Sequence, residues 1–262
     1  MTLDRRLAPW MAAPATAGVL CDFDGTLSPI VEDPDSAEAL TGAAERLCAL
    51  ARRYRTVAVI SGRPVAFLDE QLGPLPGVVL VGLYGLERLE GGTFWVAPEV
   101  DRWRQAVQDV SAAAEAEVPA GVYVERKGLT VALHARRAPA HAAWIEEWAA
   151  DQSRRRGLRL QLGKMTVELL PPVPADKGRV VTELAAGLAA VCYLGDDLGD
   201  LAAFAALREL PAGSVATISV AVRSAESPAA VLEQADVVVD GPEGALAWLG
   251  QLIPEPPRSG HC

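Results

Sequence analysis

Four short motifs rich in carboxylate, hydroxyl and ammonium side chains are the parts of this chain best suited to chemistry. They are Asp22-Phe23-Asp24-Gly25-Thr26, Ser61-Gly62-Arg63, Asp176-Lys177-Gly178 and Gly195-Asp196-Asp197-Leu198-Gly199-Asp200. If their carboxylates converge, they repel one another, and taking them out of water without a counter-charge is costly. A divalent cation would offset that cost, and hard oxygen ligands without His or Cys indicate Mg²⁺.

Beside such a cation, one carboxylate can attack the phosphorus of a phosphate ester and form an aspartyl-phosphate. The reaction otherwise requires positioning and neutralisation of charge. Lys177 would neutralise charge, Ser61 would donate a hydrogen bond to a phosphoryl oxygen, and backbone N–H groups around Gly25 and Thr26 would hold the others. Each motif alone has a simpler interpretation as a turn or a helix cap, so it is their joint occurrence that favours catalysis.

The predicted secondary structure places these motifs where they can meet. Short apolar runs predict strands at residues 19–21, 56–60, 78–81, 191–194, 215–220 and 237–239. Segments rich in Ala and Leu predict helices at residues 41–53, 177–188, 201–210 and 244–252. This alternation predicts an α/β fold with a Rossmann-like parallel sheet and helices on both faces. Ligands of such sheets bind beyond the carboxyl ends of the strands, where the motifs lie.

The region between the second and third motifs has a different pattern. It predicts a helix at 101–117, a hairpin of strands 122–126 and 129–135, a helix at 140–155 and a hairpin of strands 158–162 and 165–170. This repeated order indicates a small α+β domain inserted into the core. We predict a core at residues 1–96 and 173–253, the inserted domain at 97–172, and a flexible Pro-rich tail at 254–262.

Composition restricts the class of partner. The net charge of -10 disfavours nucleic acid and anionic membrane surfaces, whose phosphates would be repelled. No apolar run approaches the length that spans a bilayer, and Pro9 and Pro14 interrupt the one stretch that resembles a signal peptide. None of the four cysteines forms a CxxC pair, which favours buried thiols in a reducing compartment. We therefore predict a cytoplasmic protein with a small-molecule partner.

The four motifs resemble, in order and at strand ends, those of the haloacid dehalogenase (HAD) superfamily of phosphatases. The resemblance implies that Asp22 is the nucleophile and Asp24 the acid/base, and that Ser61 and Lys177 complete the catalytic set. It implies that Mg²⁺ is held by Asp22, the Asp24 backbone carbonyl and Asp196, with support from Asp197 and Asp200. The residues expected around the phosphate are Gly25, Thr26, Ser61, Gly62, Arg63 and Lys177.

The inserted domain resembles the cap of trehalose-6-phosphate phosphatases. The motifs that carry this resemblance are Glu125-Arg126-Lys127, His134-Ala135-Arg136 and Lys164-Met165-Thr166-Val167-Glu168. It implies a cap that closes over the sugar, in which Glu125, Lys127, Lys164 and Glu168 bind sugar hydroxyls through charge-assisted hydrogen bonds. Taken alone, these same-face charges are more simply explained by solvated ion pairs. His134 and Arg136 are included in the predicted sugar site, with orientation of the cap or contact with the core as alternative roles.

The sequence thus predicts Mg²⁺-dependent hydrolysis of trehalose 6-phosphate to trehalose and phosphate, with a trehalose-phosphate synthase upstream in the pathway. Alternative substrates are sucrose phosphate, glucosylglycerol phosphate and mannosyl-phosphoglycerate. A phosphosugar mutase would need its phospho-enzyme to survive water. A non-catalytic sensor should have lost Asp22 or Asp24, which this chain retains.

The chain also departs from the usual pattern of this family at three places. Gly199 and Leu201 stand where the family usually has Thr and Glu, and Ala135 stands in place of Tyr. Gly82-Leu83-Tyr84-Gly85 lies where the family often has His before the second Gly. None of these departures removes a predicted nucleophile, metal ligand or acid/base.

Overall fold

The computed structural model describes residues 5–163, 165–211 and 213–254, and its strands form two separate sheets. In chain order the strands are β1 (Ala17–Cys21), β2 (Thr56–Ile60), β3 (Val78–Gly82), β4 (Glu87–Glu90), β5 (Thr93–Val96), β6 (Tyr123–Arg126), β7 (Val131–His134), β8 (Arg159–Gly163), β9 (Thr166–Leu170), β10 (Ala190–Gly195), β11 (Ala216–Arg223) and β12 (Val237–Asp240). The α-helices are α1 (Ala8–Ala12), α2 (Ala43–Ala51), α3 (Val65–Leu72), α4 (Arg104–Glu117), α5 (Ala142–Arg156), α6 (Lys177–Leu184), α7 (Leu201–Glu209), α8 (Ala229–Gln234) and α9 (Gly241–Gly250).

The larger sheet, which we call the core sheet, has the strand order β12-β11-β10-β1-β2-β3-β4-β5. Neighbouring strands from β12 to β3 are parallel, whereas β4 and β5 continue the sheet as an antiparallel hairpin. The predicted α/β fold and its six strands are confirmed. β1 lies between β10 and β2, at the point where the strand order reverses, and ligands bind at such points in open α/β sheets.

Helices cover both faces of the core sheet, as predicted. Successive residues of a strand point to opposite faces, and Val19 and Cys21 of β1 pack in one apolar cluster while Leu20 packs in another. The first cluster draws residues from α1, α2, α3 and α9, and the second from α6, α7 and α8. Helix α6 ends at Leu184, four residues before the predicted end at Leu188.

The smaller sheet has the order β6-β7-β9-β8, with every neighbouring pair antiparallel. Both predicted hairpins are present, and the pairing of β7 with β9 joins them into one sheet. Helices α4 and α5 share an apolar cluster with Val131, Leu133, Val167 and Leu169, so they cover one face. We call α4, α5 and this sheet the cap layer. Its other face carries Glu125, Ala132 and Glu168, which are neighbours across three strands.

Two further features concern the chain as a whole. Cys21, Cys48 and Cys192 are free thiols, and Cys262 lies outside the described residues with the rest of the predicted tail from residue 255 onward. Among the described helices, none combines the length and the apolar character that crossing a bilayer requires.

Candidate active site

Acidic residues from the first and fourth motifs meet at the carboxyl edge of the core sheet. Asp22 directly follows β1, and Asp196 directly follows β10. Carboxylate oxygens of Asp22, Asp196 and Asp200 lie within 4.8 Å of one another, and all three residues are buried. Lys177, at the start of α6, places its Nζ 2.9 Å from Asp22 Oδ2 and 2.6 Å from Asp200 Oδ1. The third motif therefore joins the other two at one point.

The carboxylates of this cluster carry more negative charge than Lys177 can neutralise. Burial raises the pKa of Asp22 well above its ordinary value, and the charges of Asp200 and Asp197 add to this while Lys177 opposes it. Burial and the charges of Asp22 and Asp200 raise the pKa of Asp196 to about 10. Asp200 differs, because burial raises its pKa but the charge and hydrogen bond of Lys177, together with hydrogen bonds from Tyr193 and the Asp197 N–H, lower it below its ordinary value. A group of buried oxygens with this excess of negative charge fits a divalent cation.

Asp200 holds the loop that presents Asp196. Its Oδ2 accepts hydrogen bonds from the backbone N–H groups of Asp196 and Asp197, at 2.9 and 3.0 Å. Its Oδ1 accepts from the Tyr193 hydroxyl and from Lys177, both at 2.6 Å. Asp197 is exposed and accepts from the Gly199 N–H at 2.8 Å, which fixes the turn. Asp197 and Asp200 thus hold the loop that carries Asp196, and their support of a cation there stays a prediction.

The first motif wraps closely around Asp196. Gly25 has φ +70°, and a Cβ added there would lie 2.2 Å from the Asp196 carboxylate, so no side chain fits. The Thr26 backbone N–H, predicted to face the phosphate, donates instead to the Phe23 carbonyl at 3.2 Å. The Thr26 hydroxyl is buried and has no hydrogen-bond partner among the described residues. A buried hydroxyl without a partner is a position that a ligand can satisfy.

Arg63 binds the predicted acid/base, Asp24, and its contact with a phosphate stays a prediction. Its guanidinium donates two parallel hydrogen bonds to Asp24, both 2.9 Å long. It also donates to the Pro34 carbonyl at 2.9 Å and lies 3.4 Å from Glu125 of the cap layer. Ser61 is buried, lines the cleft and accepts a hydrogen bond from the Arg63 N–H at 3.1 Å. Arg63 thereby connects Asp24 with the cap layer.

The cap layer supplies a second group of charges. Glu125 and Glu168 flank the small residue Ala132, so their carboxylates approach the same ammonium group. Lys127 Nζ lies 3.7 Å from Glu125 Oε2, 3.3 Å from Glu168 Oε2 and 3.3 Å from the Gly62 carbonyl oxygen. His134 Nε2 lies 2.9 Å from Glu125 Oε2. Burial opposes ionisation of Glu125, but the His134 hydrogen bond and the charges of Lys127 and Arg63 lower its pKa to about 2.

Arg136 contacts the core, which is one of the alternative roles given to it above. Its guanidinium forms an ion pair with Glu226, on the loop after β11, at 3.0 Å. Two further contacts join the same layers, Arg137 with Asp33 at 2.7 Å and the Tyr123 hydroxyl with Asp35 at 2.6 Å. Lys164 lies outside the described residues.

Two residues of this network were not predicted. The Thr130 hydroxyl donates to Glu168 Oε1 at 2.5 Å, and the Tyr84 hydroxyl donates to Glu168 Oε2 at 3.0 Å. Tyr84 follows the predicted third strand at the same sheet edge as the motifs, and this position could have identified it as a site residue. Thr130 carried no such signal, because its role depends on the pairing of β7 with β9.

A cleft of about 510 Å³ separates the two layers. Asp22, Ser61 and Lys177 line it from the core, and Glu125 and Glu168 line it from the cap layer. This volume lies within the usual range for small-molecule sites, about 300 to 1,000 Å³. Of the predicted phosphate-binding residues, Ser61, Gly62, Arg63 and Lys177 line this cleft, whereas Gly25 and Thr26 do not. The predicted sugar-binding residues that the structure describes line it as well, and they are Glu125, Lys127, His134, Arg136 and Glu168.

Comparisons with known proteins agree with this geometry. The family model for trehalose-phosphatase matches residues 20–240. The trehalose-phosphate phosphatase of Mycobacterium avium (strain 104) is 36% identical over 217 residues, which cover 75% of this chain and 53% of that protein. That of Mycobacterium leprae (strain TN) is 33% identical over 226 residues, covering 75% of this chain and 49% of that protein. The chain therefore spans about half the length of these curated relatives.

Solved structures show the same architecture. The C-terminal domain of C. albicans trehalose-6-phosphate phosphatase aligns with a TM-score of 0.78 and 25% identity, covering 95% of this chain and 96% of that one. A haloacid dehalogenase-like hydrolase from Bacteroides thetaiotaomicron aligns with a TM-score of 0.58 and 14% identity, covering 90% of this chain and 99% of that one. The second likeness concerns the fold alone.

Proposed function

The chain belongs to the trehalose-phosphatase family, and we propose that it hydrolyses trehalose 6-phosphate to trehalose and phosphate. The observation that carries this proposal is the cleft in which buried Asp22 and Lys177 face the carboxylates of Glu125 and Glu168. One wall has the groups that phosphoryl transfer needs, and the other has groups that bind hydroxyls. Residues 97–172 are proposed to form the cap domain. A cytoplasmic location and an upstream trehalose-phosphate synthase belong to the same proposal.

Asp22 is proposed as the nucleophile. Lys177, 2.9 Å from its Oδ2, orients the carboxylate and neutralises charge as the ester approaches. Attack on phosphorus forms an aspartyl-phosphate on Asp22 and breaks the bond to the sugar oxygen, which takes a proton from Asp24. Asp24 then removes a proton from the water that hydrolyses the aspartyl-phosphate. Arg63 fixes the orientation of Asp24 through its two parallel hydrogen bonds.

Asp22, Asp196 and the backbone carbonyl of Asp24 are proposed to hold Mg²⁺. The excess negative charge of the cluster supports a cation there, and its all-oxygen donor set suits Mg²⁺. When bound, Mg²⁺ supplies positive charge that stabilises the phosphoryl oxygens. Ser61 and Lys177, which line the cleft, are proposed to bind those oxygens as well, and Gly25 and Thr26 remain predicted phosphate ligands.

The cap layer is proposed to bind the sugar. Glu125, Lys127 and Glu168 would make charge-assisted hydrogen bonds to its hydroxyls, which is consistent with their burial beside the cleft. His134 would position Glu125 through the contact at 2.9 Å. The Arg136 contact with Glu226 supports a role for Arg136 in seating the cap, and Lys164 remains a predicted sugar ligand.

Phosphate release from the purified protein with Mg²⁺ tests the substrate. The panel contains trehalose 6-phosphate, sucrose phosphate, glucosylglycerol phosphate, mannosyl-phosphoglycerate and p-nitrophenyl phosphate. We expect kcat/KM for trehalose 6-phosphate to exceed that for each other ester by about tenfold or more. A comparable preference for another sugar phosphate would refute the substrate but spare the mechanism. Free phosphate that fails to accumulate while a sugar phosphate isomerises would favour a mutase.

Variants of the cap layer test the sugar-binding wall separately. Glu125→Ala and Glu168→Ala should lower kcat/KM for trehalose 6-phosphate about a hundredfold, because each removes a charged acceptor. The same variants should change hydrolysis of p-nitrophenyl phosphate by less than about threefold, since that ester has no sugar to bind. Glu146→Ala, on the exposed face of α5, is the matched control. Equal losses with both esters would contradict the assignment.

A further inference from the structure

The bend after β3 has a backbone that side chains seldom adopt. Leu83 and Tyr84 have φ values of 48° and 60°, and Gly85 has a φ of 110°. Non-glycine residues in this left-handed region are uncommon and persist where their surroundings hold them, often at functional sites. Here the Tyr84 N–H donates to the Ser61 carbonyl and the Leu83 N–H to the Arg63 carbonyl, both at 3.0 Å. The second motif therefore holds the bend.

Packing fixes the bend from its other side. Leu83 is fully buried in an apolar cluster with Leu129 of the first cap hairpin and Val173, where the chain returns to the core. The Tyr84 ring lies against Gly62, where an added Cβ would be 2.5 Å from the hydroxyl oxygen. Gly62 thus leaves the space that the phenol occupies. Both features direct Tyr84 from the core toward the cap layer.

The Tyr84 hydroxyl binds the cap carboxylate that faces the cleft. Glu168 Oε2 accepts from Tyr84 at 3.0 Å and lies 3.3 Å from Lys127 Nζ, while Oε1 accepts from Thr130 at 2.5 Å. Among these donors, Thr130 and Lys127 belong to the cap layer and Tyr84 belongs to the core. A carboxylate offers about four acceptor positions, so about one remains for a ligand. The core therefore helps decide where that last position points.

We propose that Tyr84 is a positioning residue, which fixes the Glu168 carboxylate over the cleft so that its remaining acceptor position meets a sugar hydroxyl. This inference rests on the proposed function, because it takes Glu168 as a sugar-binding group. The strained bend delivers the hydroxyl to that point, and the hydroxyl contacts Glu168 rather than the phosphoryl-transfer residues. Loss of the hydroxyl should therefore weaken binding of the sugar and leave the chemical step intact.

Tyr84→Phe tests this role, because it removes the hydroxyl and keeps the ring. With the sugar phosphate that the wild type prefers, KM should rise about tenfold while kcat changes by less than about threefold. With p-nitrophenyl phosphate, kcat/KM should stay within about twofold of the wild type. Tyr54→Phe is the matched control, because its buried hydroxyl donates to the Leu252 carbonyl at 2.7 Å, outside the cleft. Tyr54→Phe should leave kcat and KM for both esters unchanged.

A double-mutant cycle separates positioning from a general structural role. In a Glu168→Gln background, Tyr84→Phe should raise KM by less than about twofold, because the charged acceptor that it serves is already gone. The proposal would be overturned if the KM increases of Tyr84→Phe and Glu168→Gln multiply as independent changes in the double variant. An unchanged KM in Tyr84→Phe, or an equal loss of kcat/KM with both esters, would also overturn it. If the preferred ester is not trehalose 6-phosphate, the proposed substrate fails while the cycle still reports on Tyr84. If no sugar phosphate exceeds p-nitrophenyl phosphate in the wild type, both fail together.

Discussion

Among single residues, Asp22 has the environment that most constrains the chemistry. Lys177 is its close cation, yet Lys177 is shared with Asp200, which it approaches more closely, at 2.6 Å against 2.9 Å. Burial therefore keeps the ionised form of Asp22 unfavourable until further positive charge arrives. A cation bound beside Asp22 would lower its pKa and favour the ionised carboxylate that the proposed nucleophilic role requires.

Asp22→Asn should abolish turnover while preserving the fold. The amide has nearly the shape of the carboxylate but cannot form an aspartyl-phosphate, so kcat should fall by at least about a thousandfold. The midpoint of thermal unfolding should stay equal or rise, because the amide avoids the cost of burying or protonating a carboxyl whose pKa is raised well above its ordinary value, and this offsets the lost ion pair with Lys177. Phosphate release and thermal unfolding measure the two effects. Asp69→Asn, on an exposed part of α3, should match the wild type in both, and activity retained by Asp22→Asn would refute the assignment.

Glu125 should make stability depend on acid pH. Its pKa is about 2 in the folded protein against an ordinary value of 4.5, so its contribution is present above about pH 4.5 and is lost as the pH falls toward 2. Glu125→Gln should therefore unfold at a temperature that depends less on pH between about 5 and 3 than the wild type does. Glu146→Gln, on an exposed helix face, should keep the wild-type dependence. Parallel curves for the wild type and Glu125→Gln would contradict this.

The sequence predicted the core residues better than their partners. Asp22, Asp24, Asp196 and Asp200 lie in short motifs directly after strands, so chain order alone brings them together. Arg63 was expected at the phosphate, because a guanidinium on a long side chain can reach several acceptors and the sequence does not select among them. In the structure, four of its five N–H donors bind Asp24, Pro34 and Glu125.

At the level of strands and helices, the register of the small sheet explains why distant charges meet. Glu125 pairs with Ala132 and Ala132 with Glu168, so a shift of one residue would turn a carboxylate toward the apolar helix face. The sequence predicted each hairpin, because turns at Gly128 and Gly163 separate runs of strand-forming residues. The pairing of β7 with β9 spans the whole of α5, and no local pattern specifies it.

The β4–β5 hairpin was absent from the prediction for a related reason. Its residues, Glu87–Glu90 and Thr93–Val96, are mostly half-buried or exposed, so they lack the apolar runs that identified the other core strands. Tertiary pairing with β3 makes β4 a strand. Most parallel strands were predictable because both of their faces are buried, whereas β12, at the sheet edge, is half-buried or exposed and was predicted from its run of Val residues.

The ion pair of Arg136 with Glu226 should help seat the cap layer on the core. Arg136→Ala and Glu226→Ala should each raise KM for the sugar phosphate by about two- to fivefold, since a partly exposed pair contributes modestly. Exchange of the charges, Arg136→Glu with Glu226→Arg, should restore most of the loss. Steady-state kinetics at low and high salt measure this, and salt should weaken the effect. If Arg136 binds the sugar directly, Glu226→Ala will leave KM unchanged and the charge exchange will not restore the wild-type KM.

Considered as a whole, the molecule has separate apolar cores on either side of its cleft. Two clusters lie on the two faces of the core sheet, and a third lies between the small sheet and its helices. A smaller cluster, which includes Leu83, Leu129 and Val173, lies where the two layers join. Across the cleft the described contacts are mainly ion pairs and hydrogen bonds, which can exchange with ligand and water. This division is suited to a cap that opens and closes over a rigid catalytic layer.

The carboxylates of the acidic cluster are brought together only in the folded protein, so Mg²⁺ bound to them should stabilise the folded state. An ion that binds only the folded state, at about a hundredfold above its Kd, adds about 2.7 kcal/mol, which raises Tm by roughly 5 to 10 °C for a chain of this size. Asp196→Asn should raise Tm without metal, because a carboxyl whose pKa is raised to about 10 must be protonated when the protein folds at neutral pH and the amide avoids that cost; it should also lose most of the Mg²⁺ response. Asp69→Asn should keep that response in full. Thermal unfolding across a Mg²⁺ titration measures both, and an unchanged response in Asp196→Asn would place the ion elsewhere, since Asp196 and Asp22 could not then be its shared ligands.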